Sequence, residues 1–251
     1  MNKSCTLLGG AIALALLAGC QNMDTNALMQ SGTQAFSAAT LSDEQVKTLS
    51  VESCAKMDQE AKIAPDSSTY AARLKKISAA LGDNIEGTPA NYKVYQTSDV
   101  NAWAMANGCI RVYSGLMDLM TDQEVEAVLG HEMGHVALGH SRKAMQVAYA
   151  TTAARTAATS VGGATAALSQ SQLGDLGEAL VGAQFSQRQE SQADDYSYDL
   201  LKKRGLSTQA LVTSFEKLAS LDKGKSSSMF DSHPPSEARA QHIRDRIASG
   251  K

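Results

Sequence analysis

Apolar residues return along this chain at helical spacing over most of its length and alternate as a strand does over one short stretch. Ser42, with Gln45 three positions on, reads as a helix cap, and Val46, Leu49, Cys54, Met57 and Ala61 follow at roughly helical spacing until Pro65. A second helix is expected from Ser67 or Ser68 to Leu81, stopped by Gly82, with Tyr70, Leu74, Ile77 and Leu81 on its buried side. The texture then changes. Residues 92–96 alternate, and 100–105 and 109–113 read as two more short strands joined through the hairpin signal Asn107-Gly108. So a sheet of about three strands precedes the next helix. That helix opens at Thr121, with Glu124 completing its cap, and carries Val125, Val128, Leu129 and Val136 on its apolar stripe up to Gly139.

Residues 144–168 are dominated by Ala and Thr and predict a small-residue helical hairpin or a mobile flap. One helix is expected over 173–204, ending at Gly205, and another over 211–221. A flexible loop at 223–228 and a terminal helix from Ser236 to Ile247 complete the chain, which has no internal repeat. The fold class is α+β: one mostly α-helical domain with a small sheet ahead of its central helix.

With 251 residues, 43% of them hydrophobic, the chain can build one sizeable core. An aromatic share of 5% favours small-residue helix packing over a β-sandwich. The net charge of −3, without a Lys/Arg cluster, argues against nucleic acid as a partner.

The first residues form no part of that core. Lys3 gives a positive start, residues 7–18 are an apolar run too short for a mature anchor, and Leu17-Ala18-Gly19-Cys20 closes it. The small residues before Cys20 resemble the bacterial lipobox, in which the cysteine thiol is acylated and becomes the new N-terminus. The alternative is an ordinary secretory signal cleaved nearby. Gln21 after Cys20, rather than Asp, resembles the sorting pattern for the outer membrane, and several acyl chains give stable anchoring. The expected division is a signal peptide over 1–19, lipidated Cys20 with a flexible tether over 20–40, and a domain over 41–251. Of the four cysteines, Cys54 and Cys109 then remain in an oxidising periplasm. Their spacing in the fold decides between a disulfide and two buried thiols.

The chemistry concentrates in His131-Glu132-Met133-Gly134-His135. Two imidazoles four positions apart on a helix share one face and can share a metal ion, with the intervening carboxylate at the flank of that face. A catalytic zinc takes three protein ligands, so a third must come from elsewhere. His140 lies nine residues beyond His131 and would point to the opposite side of a continuous helix, where helix capping or a surface position suits it better. Glu190 is the better candidate, because Asp194 one turn on shares its helix face and can accept a hydrogen bond from a ligand imidazole. Two acids on a solvated helix face would show the same spacing.

His-Glu-Met-Gly-His, Glu190-x-x-Ala-Asp194, the strand Asn101-Ala102-Trp103-Ala104 with Gly108, and the late Ser232-His233-Pro234 with Arg239 together resemble the gluzincin metallopeptidases of the HtpX and CAAX-prenyl-protease family. The resemblance runs from about Leu41 to the C-terminus and is closest to the small periplasmic lipoprotein members. It departs from the integral members in having no transmembrane helix after the signal. It implies one zinc ion per chain held by His131, His135 and Glu190, Glu132 as general base, and Asp194 as the acid that orients a ligand. It also implies that residues 101–104 form an edge to which an extended polypeptide substrate adds as a further strand. Trp103 would serve equally as ordinary core.

His233 is open between a loop residue, an oxyanion donor and a fourth ligand that holds the enzyme latent. Arg239 is open between pairing with an acid of the site and covering the terminal helix. The expected activity is zinc-dependent endoproteolysis of misfolded or exposed polypeptide, from an outer-membrane lipid anchor facing the periplasm. Possible partner proteases or assembly factors are not identified by any residue. The rivals are a non-hydrolytic chaperone or assembly factor with a structural zinc, and an amidase acting on cell-wall peptides.

Overall fold

The computed structural model describes residues 41–159, 168–221, 229, 232–233 and 237–250. The expected signal, Cys20 and the tether lie outside the described residues, as do Ser236 and the loop at 223–228. Helix α1 spans Asp43–Glu60 behind the capping box of Ser42 and Gln45, and α2 spans Thr69–Leu81 with Ser68 as its cap. A small hairpin follows, β1 (Asn84–Ile85) and β2 (Thr88–Pro89), turning through Glu86 and Gly87, both at positive φ. That signature belongs to a type I′ turn, and Asn84 Oδ1 accepts the Gly87 amide at 2.8 Å. Each of its strands has only two residues, too few for alternation to mark in the sequence.

The main sheet holds β3 (Asn91–Tyr95), β4 (Ala102–Ala104) and β5 (Cys109–Tyr113) in the order β3-β5-β4. β5 inserts between the other two, parallel to β3 and antiparallel to β4, so β4 forms one edge. The short helix α3 (Ser114–Leu119), absent from the sequence expectation, leads into α4 (Asp122–Ala137), capped by Thr121 and Glu124 as expected. α4 is the central element: every residue from Glu124 to His135 is buried. Its stripe faces a core with Ile77 and Leu81 of α2, Ile110 of β5 and Leu116 of α3.

Leu138 caps α4 and Gly139, at φ +72, turns the chain into α5 (His140–Thr159), so the Ala/Thr-rich segment is helical as far as Thr159. The single helix expected over 173–204 is instead two, α6 (Gln170–Val181) and α7 (Gln187–Arg204). Gly182 ends the first, and Ser186 with Gln189 builds a new capping box for the second. Local start and stop signals here overrode a period that ran straight through them. α8 (Gln209–Leu221) and α9 (Glu237–Ser249) close the fold.

Cys54 of α1 and Cys109 of β5 form a disulfide, closing a separation of 55 residues. In the chain-entropy view this stabilises the fold by about 4 kcal/mol. Beside it the buried Arg111 guanidinium grips Asp58 of α1 through two hydrogen bonds of 2.8 and 2.9 Å. Covalent and ionic links thus hold the same helix to the same strand, fixing the sheet from behind.

Candidate metal centre

Two helices bring the chemistry together because one of them has no side chains where they cross. A Cβ added at Gly134 of α4 would lie 3.0 Å from the Ala193 backbone of α7, and one at Gly130 would lie 2.7 Å from Ser197 Oγ. Glycine at these positions lets the two backbones approach closely. The approach sets the imidazoles of His131 and His135, one turn apart on α4, against Glu190 and Asp194, one turn apart on α7. All four residues are buried, as is Glu132.

The ligand-type atoms of His131, His135, Glu190 and His233 lie within 4.8 Å of one another. His131 Nε2 and His135 Nε2 are 3.0 Å apart, and His135 Nε2 lies 3.3 Å from Glu190 Oε1. His233 Nδ1 stands 3.0 Å from Glu190 Oε1 and 3.3 Å from His131 Nε2. A tetrahedron with zinc–ligand bonds of 2.0–2.1 Å has edges of about 3.3 Å. These four separations match such edges, and two or three imidazoles with one carboxylate are borderline donors that suit zinc. The residues fit the ion.

The hydrogen bonds around the cluster orient the lone pairs inward. His131 Nδ1 lies 2.8 Å from Asp194 Oδ1. Asp194 is itself gripped by Arg239, whose Nε and Nη2 donate to its two oxygens at 2.7 Å each. An ionised carboxylate can only accept, so the His131 proton sits on Nδ1 and Nε2 faces the cluster with its lone pair. His135 is held in the same way from an unexpected side: its Nδ1 lies 3.1 Å from His140 Nδ1. Arg239 also places Nη1 2.6 Å from Glu190 Oε2, so one guanidinium positions both acids of α7.

Burial pushes the Asp194 carboxyl up, but hydrogen bonds from Arg239 and His131 outweigh it and leave it below the usual carboxylate range. Burial opposes charge on Glu190 too, and the neighbouring His135 and His233 more than reverse this, so it stays anionic. His135 is driven well below its ordinary value, first by burial, and is therefore neutral, the form that can bind a metal. Glu132 is raised, chiefly by burial, and its Oε1 is buried without a hydrogen-bond partner. A buried carboxylate oxygen with no protein partner is costly, and a reacting water would satisfy it.

The structure brings together every residue expected at the site: His131, Glu132, His135, Glu190, Asp194, His233 and Arg239. His233 lies in a bend outside the helices, and its ring is buried between Glu190 and Glu132, with Nε2 3.6 Å from Glu132 Oε1. The surface or helix-capping expectation for His140 is corrected: it is buried at the start of α5 and supports His135. The chain does not run on as one helix: the turn at Gly139 brings His140 back to His135.

Ala102–Ala104 form the edge strand β4 with Asn101 just ahead of it, and all four residues are buried. Trp103 is core, with its ring 5.8 Å from Tyr95 in an edge-to-face contact. Ser141 Oγ donates to Ala104 O, tying the start of α5 to that edge. Sequence reasoning missed Phe185, whose ring centroid lies 3.9 Å from His135 and 5.3 Å from His233. The break between α6 and α7 puts it there, and reading one helix across that break concealed it.

Peptidase family M48 matches residues 69–247 of the chain. The chain is 67% identical over 234 residues to the metalloprotease LoiP of Escherichia coli strain K12, covering 93% of each protein. It is 61% identical over 254 residues to the metalloprotease YcaL of the same strain, covering the whole of both. Similarity also extends to the beta-barrel assembly-enhancing protease of Yersinia pestis, at 30% identity over 63% of this chain and 35% of that one.

Proposed function

The chain belongs to peptidase family M48 and is a zinc metalloendopeptidase, and from that premise we propose that it cleaves misfolded or exposed polypeptides at the periplasmic face of the outer membrane. The observation that carries the chemistry is the convergence of His131, His135 and Glu190 beside a buried, unpartnered Glu132 oxygen. In this reading the first three hold the ion and Glu132 is the general base. When bound, zinc supplies Lewis acidity to the scissile carbonyl and makes water acidic near pH 7.

The protein residues do the rest. Glu132, raised by burial, takes a proton from the attacking water and passes it to the leaving nitrogen. Asp194 fixes the His131 tautomer, His140 steadies His135, and Arg239 holds Glu190 and Asp194 in register. The β4 edge would take the substrate as an added strand, which selects for extended chains before it selects for sequence.

His233 is the fourth vertex of the cage and stands between Glu132 and Glu190, where the attacking water belongs. That placement makes it a block. His233→Ala should raise casein turnover several-fold at equal zinc content; a fall in turnover would mean that the ring instead stabilises the oxyanion.

Anchoring rests on Cys20 and its flanking residues. Among the described residues no helix is long and apolar enough to cross a membrane, and the anchor in this reading is the set of acyl chains on Cys20. The Yersinia pestis relative is named for enhancing beta-barrel assembly, and such barrels are characteristic of outer membranes, which supports that setting for this chain. The test is a cell fractionation paired with a casein digest. The wild type should sediment with outer membrane and Cys20→Ser should not, while both digest unfolded casein in detergent extracts. Wild type found free of membrane would refute the anchor, and intact casein would refute the substrate class.

A further inference from the structure

β4 is an edge of the main sheet, and its ladder with β5 decides which way its main-chain groups face. Tyr113 N donates to Asn101 O and Met105 N to Cys109 O, each at 2.9 Å. Ala102↔Val112 and Ala104↔Ile110 are therefore the non-hydrogen-bonded pairs of this ladder. The N–H and C=O of both alanines point away from β5, toward the edge. Side chains already take two of these four groups. Asn101 Oδ1 accepts the Ala102 N–H at 2.9 Å, and Ser141 Oγ donates to the Ala104 carbonyl at 3.0 Å. Ala102 C=O and Ala104 N–H have no hydrogen bond to any described residue. Ser141 is 1% exposed and follows His140, whose ring supports His135. The first turn of α5 thus touches both the metal centre and the edge strand.

We infer that Ser141 is a positioning residue for the substrate strand: its hydroxyl caps the Ala104 carbonyl, so the edge pairs with substrate only through Ala102 C=O and Ala104 N–H. The inference rests on the proposed peptidase function and deepens its edge-strand binding. In a full ladder both outward carbonyls, two residues apart, would accept substrate N–H groups. With the Ala104 carbonyl occupied, the enzyme requires an N–H at one substrate residue and none two positions along. A substrate that displaced Ser141 would exchange one hydrogen bond for another and leave a buried hydroxyl donor unpaired, so the cap holds. The substrate residue facing Ala104 can therefore lack an N–H, as proline does. Ser141 acts through the main chain of β4 and touches no reacting atom.

The experiment uses the zinc-loaded mature chain and a fluorogenic peptide cleaved at a single bond. Each N–H other than that of the cleaved bond is replaced in turn by an ester oxygen, which deletes the donor without adding bulk. In the wild type, the replacement facing Ala102 should lower kcat/KM about ten- to a hundredfold, and the one facing Ala104 should stay within about threefold. In Ser141→Ala and Ser141→Gly a new sensitive position should appear two residues from the first, on the side set by the strand direction. Ser141→Thr keeps the hydroxyl and should keep the wild-type pattern. Thermal melts check folding, and two deletion variants keep the pattern readable where one of them folds poorly. Peptide affinities measured calorimetrically in a Glu132→Gln background should mark the same positions without turnover. No new sensitive position in either deletion variant, or a uniform loss on all peptides, would overturn the role of Ser141. A wild type already sensitive at both positions would overturn it too, and in each of these cases casein cleavage leaves the peptidase standing. A wild type that cleaves neither casein nor the peptide would remove the proposed function and this inference with it.

Discussion

Glu132→Gln should lower hydrolysis of unfolded casein by about 10²- to 10⁴-fold while zinc content stays that of the wild type. The side chains are isosteric, so the buried slot beside His233 remains filled, and none of the four ligand-type groups is altered. What disappears is the capacity to accept a proton. Burial holds the Glu132 carboxyl above its ordinary value, closer to neutrality than a solvated glutamate, which suits a group that takes a proton and then returns it. A holding or assembly factor with a structural zinc has no use for such a base and would keep full function in Glu132→Gln. An amidase would lose activity too, but on cell-wall fragments and not on casein. Rates by peptide-release assay and metal by atomic emission on the same preparations separate the three.

Arg239→Ala should destabilise the metal-free protein by about 3–5 kcal/mol, because it leaves two buried acids without their cation. Its Nη1 lies 2.6 Å from Glu190 Oε2 and its Nη2 2.7 Å from Asp194 Oδ1, and all three side chains are buried. The guanidinium also sits over the Phe215 ring at 4.7 Å, so truncation removes packing along with charge. Zinc affinity should fall about 10- to 100-fold, since Asp194 would no longer be held against His131. Part of the stability should return on adding zinc, which binds only the folded form. Arg239→Lys keeps the charge but loses the planar fork and should fall between the two. Urea denaturation with and without zinc reads both effects; a loss below about 1 kcal/mol would mean that the two acids are satisfied without Arg239.

The central helix and its caps were legible because Thr121, Glu124 and the apolar stripe all point to the same element. The pair His131 and His135 followed from helical periodicity alone. Glu190 and Asp194 shared a face by the same rule, but only the family resemblance chose them over two solvated acids. The physical reason they reach α4 is the pair Gly130 and Gly134, whose missing side chains read as helix-weakening in sequence and as close approach in space. The strands were found by alternation, whereas the insertion of β5 between β3 and β4 depends on long-range pairing that no local pattern carries. His140 and Phe185 were lost for one reason. Each follows a helix end, at Gly139 and Gly182, where a chain that reverses direction no longer obeys the period used to place its side chains.

The central claim is that one zinc ion is held by residues of α4 and α7. Anomalous diffraction from zinc-loaded crystals, collected on both sides of the zinc edge, tests it most directly. The account predicts a single peak per chain about 2.0–2.2 Å from His131 Nε2, His135 Nε2 and a Glu190 oxygen. A peak held elsewhere, or one with Glu190 turned away from both imidazoles, would contradict it.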